Sequence, residues 1–386
     1  MRILKIKISG LDLFKEGLEI SWLAQQNVTE DNNQGLHSLF SNIFTHNVLS
    51  IIGINASGKT TVLKVVTAIM DIFLANEKLN SSQAKEVLIG KNIMIETYYY
   101  SDSKNIIKLQ SYIDKNKENE LCFSEEILWQ KKSSSVKSKN KLFEFDQKKY
   151  AKKRSLEDHQ YLADDISIFI AEIKQEKIKI QIHDFIRFTN FNFMGISGEI
   201  PVEVISFLDP SIEYVKVSHK DNDYKKSLVQ LKFTQQKQPI EFSNILDLDK
   251  YLSSGTIKGL NMFAYIYSTL KNSGYLIVDE IENHFNKSIV RTIIELFRNP
   301  KVNPHGAMLI FSTHYPELLD DFDRNDSIYI TKKTDTLTLT NLSQLLKRND
   351  LKKSEVYQSD YLEGTAPKYN AYINLKESIS KHATEV

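Results

Sequence analysis

A chain of 386 residues, 41% hydrophobic and 26% charged, has the composition of a folded protein with a sizeable core, which excludes a disordered polypeptide. Fifty basic against 49 acidic residues leave a formal net charge of +1, so no global field selects nucleic acid or an anionic membrane. The single cysteine, Cys122, excludes an internal disulfide and a thiolate zinc site, and fits a packing role in a reducing compartment.

The opening MRILKIKISGLDLF alternates apolar and polar residues, which predicts a first strand and not a leader. No segment approaches the roughly 18–20 apolar residues a bilayer span needs, so a cytoplasmic location with no membrane partner is expected. LEISWLAQ predicts a second strand, and the polar stretch from Asn27 to Asn47 reads as a long surface loop. VLSIIGINASGKTTVLKVVTAIMDIFLA then reads as strand, glycine-bounded turn and helix, with Val62, Val66, Ile69 and Phe73 at helical spacing.

From Asn92 to Trp129 the runs NIMIETYYYS, IIKLQSYI and LCFSEEILW predict a β meander. Ten lysines and arginines crowd Lys131 to Arg154, more readily a solvated surface than a nucleic-acid patch. ISIFIAEIK opens an interrupted helical stretch to about Leu208, and EYVKVSH and LVQLKF predict two strands. LSSGTIKGL opens a helix with Ile257, Leu260, Phe263, Tyr267 and Leu270 on one face. GYLIVDE, KSIVRTIIELF and AMLIFSTH then alternate strand, helix and strand, the pattern of a parallel sheet in an α/β fold.

Gly53-Ile54-Asn55-Ala56-Ser57-Gly58-Lys59-Thr60-Thr61 contains the full G-x-x-x-x-G-K-[ST] pattern between a strand and a helix. Glycines let backbone N–H groups curl around phosphate oxygens, Lys59 reaches the outer phosphates, and the Thr60 hydroxyl ligates Mg²⁺. Such a loop needs a second carboxylate at the end of a neighbouring buried strand. YLIVDE supplies Asp279 for the metal and Glu280 to orient and polarise an attacking water. His314 leaves the edge of the next strand, where it is placed to hydrogen-bond a terminal phosphate.

Phosphate loop, Leu252-Ser253-Ser254-Gly255, Asp279-Glu280 and His314, in that order, resemble the ATP-binding cassette family. The resemblance implies an ABC-type P-loop ATPase: a mostly parallel core sheet, an antiparallel β lobe, and a helical lobe whose signature is Ser253, Ser254 and Gly255. It further implies ATP and Mg²⁺ as ligands and a head-to-tail homodimer in which the signature of one chain meets the ATP of the other. Thr256 and Ile257 depart from the glutamine usual in transporter subunits, while DEIENHF and S-x-G-T look like the soluble branch that includes chromosome-maintenance, repair and overcoming-lysogenization-defect ATPases.

Within that branch the chain looks most like the short AAA-type proteins of abortive-infection and other anti-phage systems, which implies a switch acting through a separate effector protein. The alternative is a repair-like DNA-binding clamp using the basic segment. The interval from Lys59 to Ser253 lacks a long coiled coil, and the 72 residues after His314 are too few for an appended nuclease domain. Asp320, Asp321 and Asp323 read as a helix end and polar loop. Gln160 is the candidate for the family's glutamine loop. The expected division is an N-terminal lobe over 1–130, an inserted basic segment with a helical and β lobe over 131–250, a C-terminal ATPase lobe over 251–345, and a tail over 346–386.

Overall fold

The computed structural model describes residues 1–14, 16–155, 162–176, 180–186, 198–220, 223–283, 285–362, 365 and 369–384. Gln160, the glutamine-loop candidate, lies outside them.

The alternating N-terminus forms β1 (Arg2–Leu11), which pairs antiparallel with β2 (Leu18–Ser21). The expected surface loop from Asn27 to Asn47 instead contains a hairpin of β3 (Leu36–Phe40) and β4 (Ile43–His46). Its connection is Ser41-Asn42, with Ser41 at φ 47°, so the turn carries no glycine to announce it in the sequence. The run after it gives β5 (Val48–Ile52) and α1 (Lys59–Leu74), followed by the short α2 (Ser82–Val87). The predicted meander is β6 (Gly90–Tyr100), β7 (Asn105–Lys115) and β8 (Leu121–Lys132), and β9 (Lys152–Ser155) pairs with β8. These strands make a six-stranded antiparallel sheet in the order β2-β1-β6-β7-β8-β9.

The boundary expected after residue 130 therefore falls inside β8, and the basic segment is a loop of this sheet. Its cations are largely engaged. Arg154 is buried against Glu126 at 2.7 Å, Lys152 pairs with Glu172, Lys153 pairs with Glu125, and Lys139 donates to the carbonyls of Ala24 and Gln26.

Among the described residues, the helical stretch expected to about Leu208 is helical at α3 (Ile170–Glu176) and, further on, at α4 (Val202–Leu208). Between them lie β10 (Ile182–Phe185), a core strand, and the two-residue β11 (Gly198–Glu199). β11 joins β12 (Ile212–Lys220), β13 (Asp223–Phe233) and β14 (Ile240–Phe242) in a second antiparallel sheet. The signature then opens α5 (Ser254–Lys271), followed by β15 (Tyr275–Val278), α6 (Lys287–Arg298), β16 (Met308–Thr313), β17 (Ile328–Lys333) and β18 (Leu337–Asn341). Three helices close the chain: α7 (Leu342–Leu345), α8 (Lys353–Gln358) and α9 (Tyr369–Thr384).

The central sheet runs β10-β15-β16-β5-β17-β18, parallel except for β18. Its apolar runs are continuous because both faces are covered. Leu49, Ile51, Ile277 and Ile310 face the core shared with α1 and the antiparallel sheet, while Ile52, Leu276, Val278 and Phe311 face the core shared with α5 and α6. α1 lies in the first core and is buried nearly all round, beyond the single stripe that its helical spacing suggests. Each large apolar side chain it buries contributes about 1.5–3 kcal/mol before entropy is counted. Two tyrosines tie the layers together. Tyr275 Oη accepts from the Ile3 amide at 3.0 Å, and Tyr329 Oη accepts from the Ser21 amide at 2.8 Å. In α5 the buried face is Leu260, Phe263 and Ile266, whereas Tyr267, expected on it, is 54% exposed.

Because β5, β15 and β16 are parallel neighbours, the residues that follow their C-terminal ends gather at one edge of the sheet.

Candidate functional site

That edge brings together the loop after β5, Asp279 and Glu280 after β15, and His314 after β16. The loop is shaped by sterics. A Cβ on Gly53 would lie 2.1 Å from Ser57 Oγ and 2.2 Å from Thr331 Oγ1, so only glycine fits. Gly58, at φ 95°, caps α1 where a Cβ would strike the Leu337 side chain. Ala56 holds φ 61°, a conformation costing an L-residue on the order of 1 kcal/mol, at the exposed crown of the loop beside Asn55. Ser57 is buried, and its hydroxyl shares a 2.7 Å hydrogen bond with Thr331 on β17. Its side chain therefore fixes the loop, and only its backbone faces outward chemistry. Thr61 is half-buried in the first turn of α1.

Lys59 donates from Nζ to the carbonyls of Gly53 at 2.9 Å and Ile54 at 3.2 Å, curling over its own loop. Burial pushes its ammonium below the ordinary lysine range, opposed by Glu280, Asp279 and Glu282. Nζ also lies 3.2 Å from His314 Nδ1. An ammonium has only donors, so Nδ1 accepts and the ring proton sits on Nε2. Nε2 in turn donates to Glu280 Oε1 at 3.0 Å, and Asn283 donates to Glu280 Oε2 at 2.7 Å. The hydrogen bond from His314 is the main cause holding Glu280 below the usual carboxylate range; Asn283 and Lys59 add to it and burial opposes it.

The Thr60 hydroxyl donates to Asp279 Oδ2 at 2.6 Å. Ser312, fully buried on β16, donates its hydroxyl to Asp279 Oδ1 and accepts the Glu280 amide at 2.8 Å. It holds two consecutive acidic residues, the second in a left-handed conformation at φ 46°. A hydroxyl and a carboxylate converging beside a loop of backbone N–H groups form a hard oxygen donor set, which suits Mg²⁺ bound together with phosphate oxygens. The residues present fit that ion.

The Ser253 side chain caps α5, accepting from the Thr256 amide at 3.0 Å. Ser253 and Ser254 are exposed, and among the described residues no hydrogen bond joins Ser253, Ser254 or Gly255 to the phosphate loop. One turn further, Lys258 and Met262 line a cavity of about 250 Å³ with Asp279, Glu280 and Asn283.

Four polar groups of this site are missing from the motif reading: Ser312, Asn283, Glu282 and Lys258. Glu282 is buried and accepts the His314 amide at 2.5 Å. Their only sequence signal is proximity: Glu282 and Asn283 follow Glu280 closely, and Ser312 stands two before His314. The acidic tail is structural: Asp321 pairs with Arg291, Asp323 pairs with Arg298, and Asp320 accepts from Ser354. No group of three or more metal-ligating residues occurs among the described residues, and no described helix is long and apolar enough to cross a membrane.

A family model described as "AAA domain, putative AbiEii toxin, Type IV TA system" matches residues 48–320. No curated protein matches the chain significantly. Among solved structures the chain is similar to the recombination mediator protein RecF with ATP, of the RecFOR pathway, at 9% identity over 88% of this chain and 97% of that one, with a TM-score of 0.39. The RecF-ATPrS structure gives 9% identity over 87% and 97%, with a TM-score of 0.37.

Proposed function

The chain belongs to the AAA-domain family whose model spans its residues 48–320, and on that premise we propose that it binds ATP with Mg²⁺ and hydrolyses it to ADP and phosphate. The observation that carries this reading is the Lys59–His314–Glu280 chain of hydrogen bonds beside the Thr60–Asp279 contact. Loop N–H groups from Gly53 to Thr61 and Lys59 hold the phosphates. Thr60 and Asp279 would hold Mg²⁺, which neutralises phosphate charge when bound. Glu280, oriented by His314 and Asn283, positions the water whose oxygen bonds the terminal phosphorus as the bridging bond to ADP breaks.

The signature residues Ser253, Ser254 and Gly255 serve the ATP of a second copy in a head-to-tail homodimer. Their exposure, with no bond to their own loop among the described residues, supports this assignment. Closure on ATP and opening on hydrolysis make a switch that controls a separate effector protein in anti-phage defence. The family description, naming the AbiEii toxin and a Type IV TA system, supports that setting. The DNA-clamp alternative draws little from the basic segment, since Lys139, Lys152, Lys153 and Arg154 are already engaged.

The test is Glu280→Gln. Turnover should fall by about 10²-fold or more, and an ATP-dependent dimer should persist in light scattering. Unchanged turnover would remove Glu280 from the reaction.

A further inference from the structure

At the opposite edge of the central sheet, where β15 and β16 begin, lies a cavity of about 440 Å³ that the proposed ATP chemistry does not use. With strands of four and six residues between them, the two sites stand roughly 13–20 Å apart at about 3.3 Å per residue. Arg2, His37, Tyr100, Asp102, Ser273 and His305 line the cavity.

Its polar lining sets the Met1 amino group, one guanidinium and two imidazoles against the single carboxylate of Asp102. The Arg2 guanidinium is buried enough that desolvation lowers its pKa. It donates to Thr45 Oγ1 at 3.1 Å and to the His305 carbonyl at 2.8 Å, both neutral acceptors. Among the described residues no carboxylate forms an ion pair with it. The nearest acid, Asp102, is 70% exposed and takes the Met1 amino group at 2.8 Å. A guanidinium has five N–H donors, of which two are used here, and this half-buried cation has Asp102 as a charge partner only at a distance, without an ion-pair contact. His37 faces the same field: burial first, then Arg2 and His305, push its pKa down to about 4. Basic groups outnumber the single lining carboxylate, Asp102, which is already taken by the Met1 amino group, and the volume falls in the usual small-molecule range of about 300–1,000 Å³.

We propose that this cavity is a second binding site, for a small oxyanion, phosphate or carboxylate, carried on a molecule no larger than a mononucleotide. The oxyanion meets the remaining Arg2 donors, and Tyr100 offers a flat wall to the organic part.

Calorimetry on the full chain carrying Lys59→Ala, which disables the phosphate loop, with inorganic phosphate, AMP and citrate as probes, tests this. At least one probe should bind saturably, AMP or phosphate identifying a phosphate ligand and citrate a carboxylate. Adding Arg2→Met should weaken binding about tenfold or more, the worth of a charge-assisted hydrogen bond. Should Arg2→Met fail to fold, Ser273→Asp decides. Ser273 is exposed at φ 51°, a backbone that aspartate tolerates, and a carboxylate there should weaken binding about fivefold. The proposal fails if no probe binds at concentrations on the order of 10 mM, or if binding survives both substitutions unchanged.

Discussion

Glu280 and Ser312 show how single side chains set the chemistry of the site. The pKa of Glu280 lies below the unfolded value of about 4.3 because His314 and Asn283 donate to its charged form. Its ionised state, and the part of stability it supplies, are therefore present above that value and lost as pH falls through the lower folded one. In His314→Ala the largest of these causes disappears. The acid limb of the turnover profile should then move toward neutral pH, and an unmoved limb in a folded variant would assign that limb to another group. Ser312→Ala makes a separate prediction, because one hydroxyl serves both Asp279 and the Glu280 amide. The loss leaves a half-buried amide unpaired in a left-handed residue, worth about 1 kcal/mol. Urea unfolding should register that destabilisation, and apparent affinity for Mg²⁺ with ATP should weaken, since Asp279 loses a donor that orients it. Wild-type values in both measurements would reduce Ser312 to a bystander.

Adjacent serines at the start of α5 divide two duties of one element. The Ser253 hydroxyl satisfies the Thr256 amide, so Ser253→Ala should cost about 1 kcal/mol, read as a lowered urea midpoint. Ser254 is exposed in the first turn, so Ser254→Trp should leave the midpoint in place and abolish ATP-dependent dimerisation. The reverse pattern would deny the helix start its proposed partner. Elements of this kind were legible where the chemistry is contiguous: the phosphate-loop pattern spans eight consecutive residues, Gly53 to Thr60, and YLIVDE couples a buried strand to its own two acids. β10 was hidden because Ile-His-Asp-Phe mixes polar residues into four positions and finds its partner β15 about ninety residues later. β3 and β4 were hidden by a turn without glycine, and Ser312 by being one serine among many until β16 lies beside β15. Local pattern records what neighbours in sequence do together, whereas register and pairing across the sheet are decided by packing.

The proposed assembly makes a demand that no single chain can meet. Phosphate loop and carboxylates gather at one edge of the central sheet, while Ser254 of the same chain is exposed and makes no hydrogen bond to that loop among the described residues. In a head-to-tail pair each ATP takes Lys59 from one copy and Ser254 from the other. Lys59→Ala and Ser254→Trp chains should each be inactive alone. Mixed in equal amounts, only the hetero-pairs unite an intact loop with an intact signature, at one of their two sites. Turnover should rise on mixing, from at most one complete site per pair, and fall again on dilution as pairs dissociate. Self-contained sites would give no recovery at any mixing ratio, since each chain would carry its own lesion, and turnover per chain in the wild type would be independent of concentration.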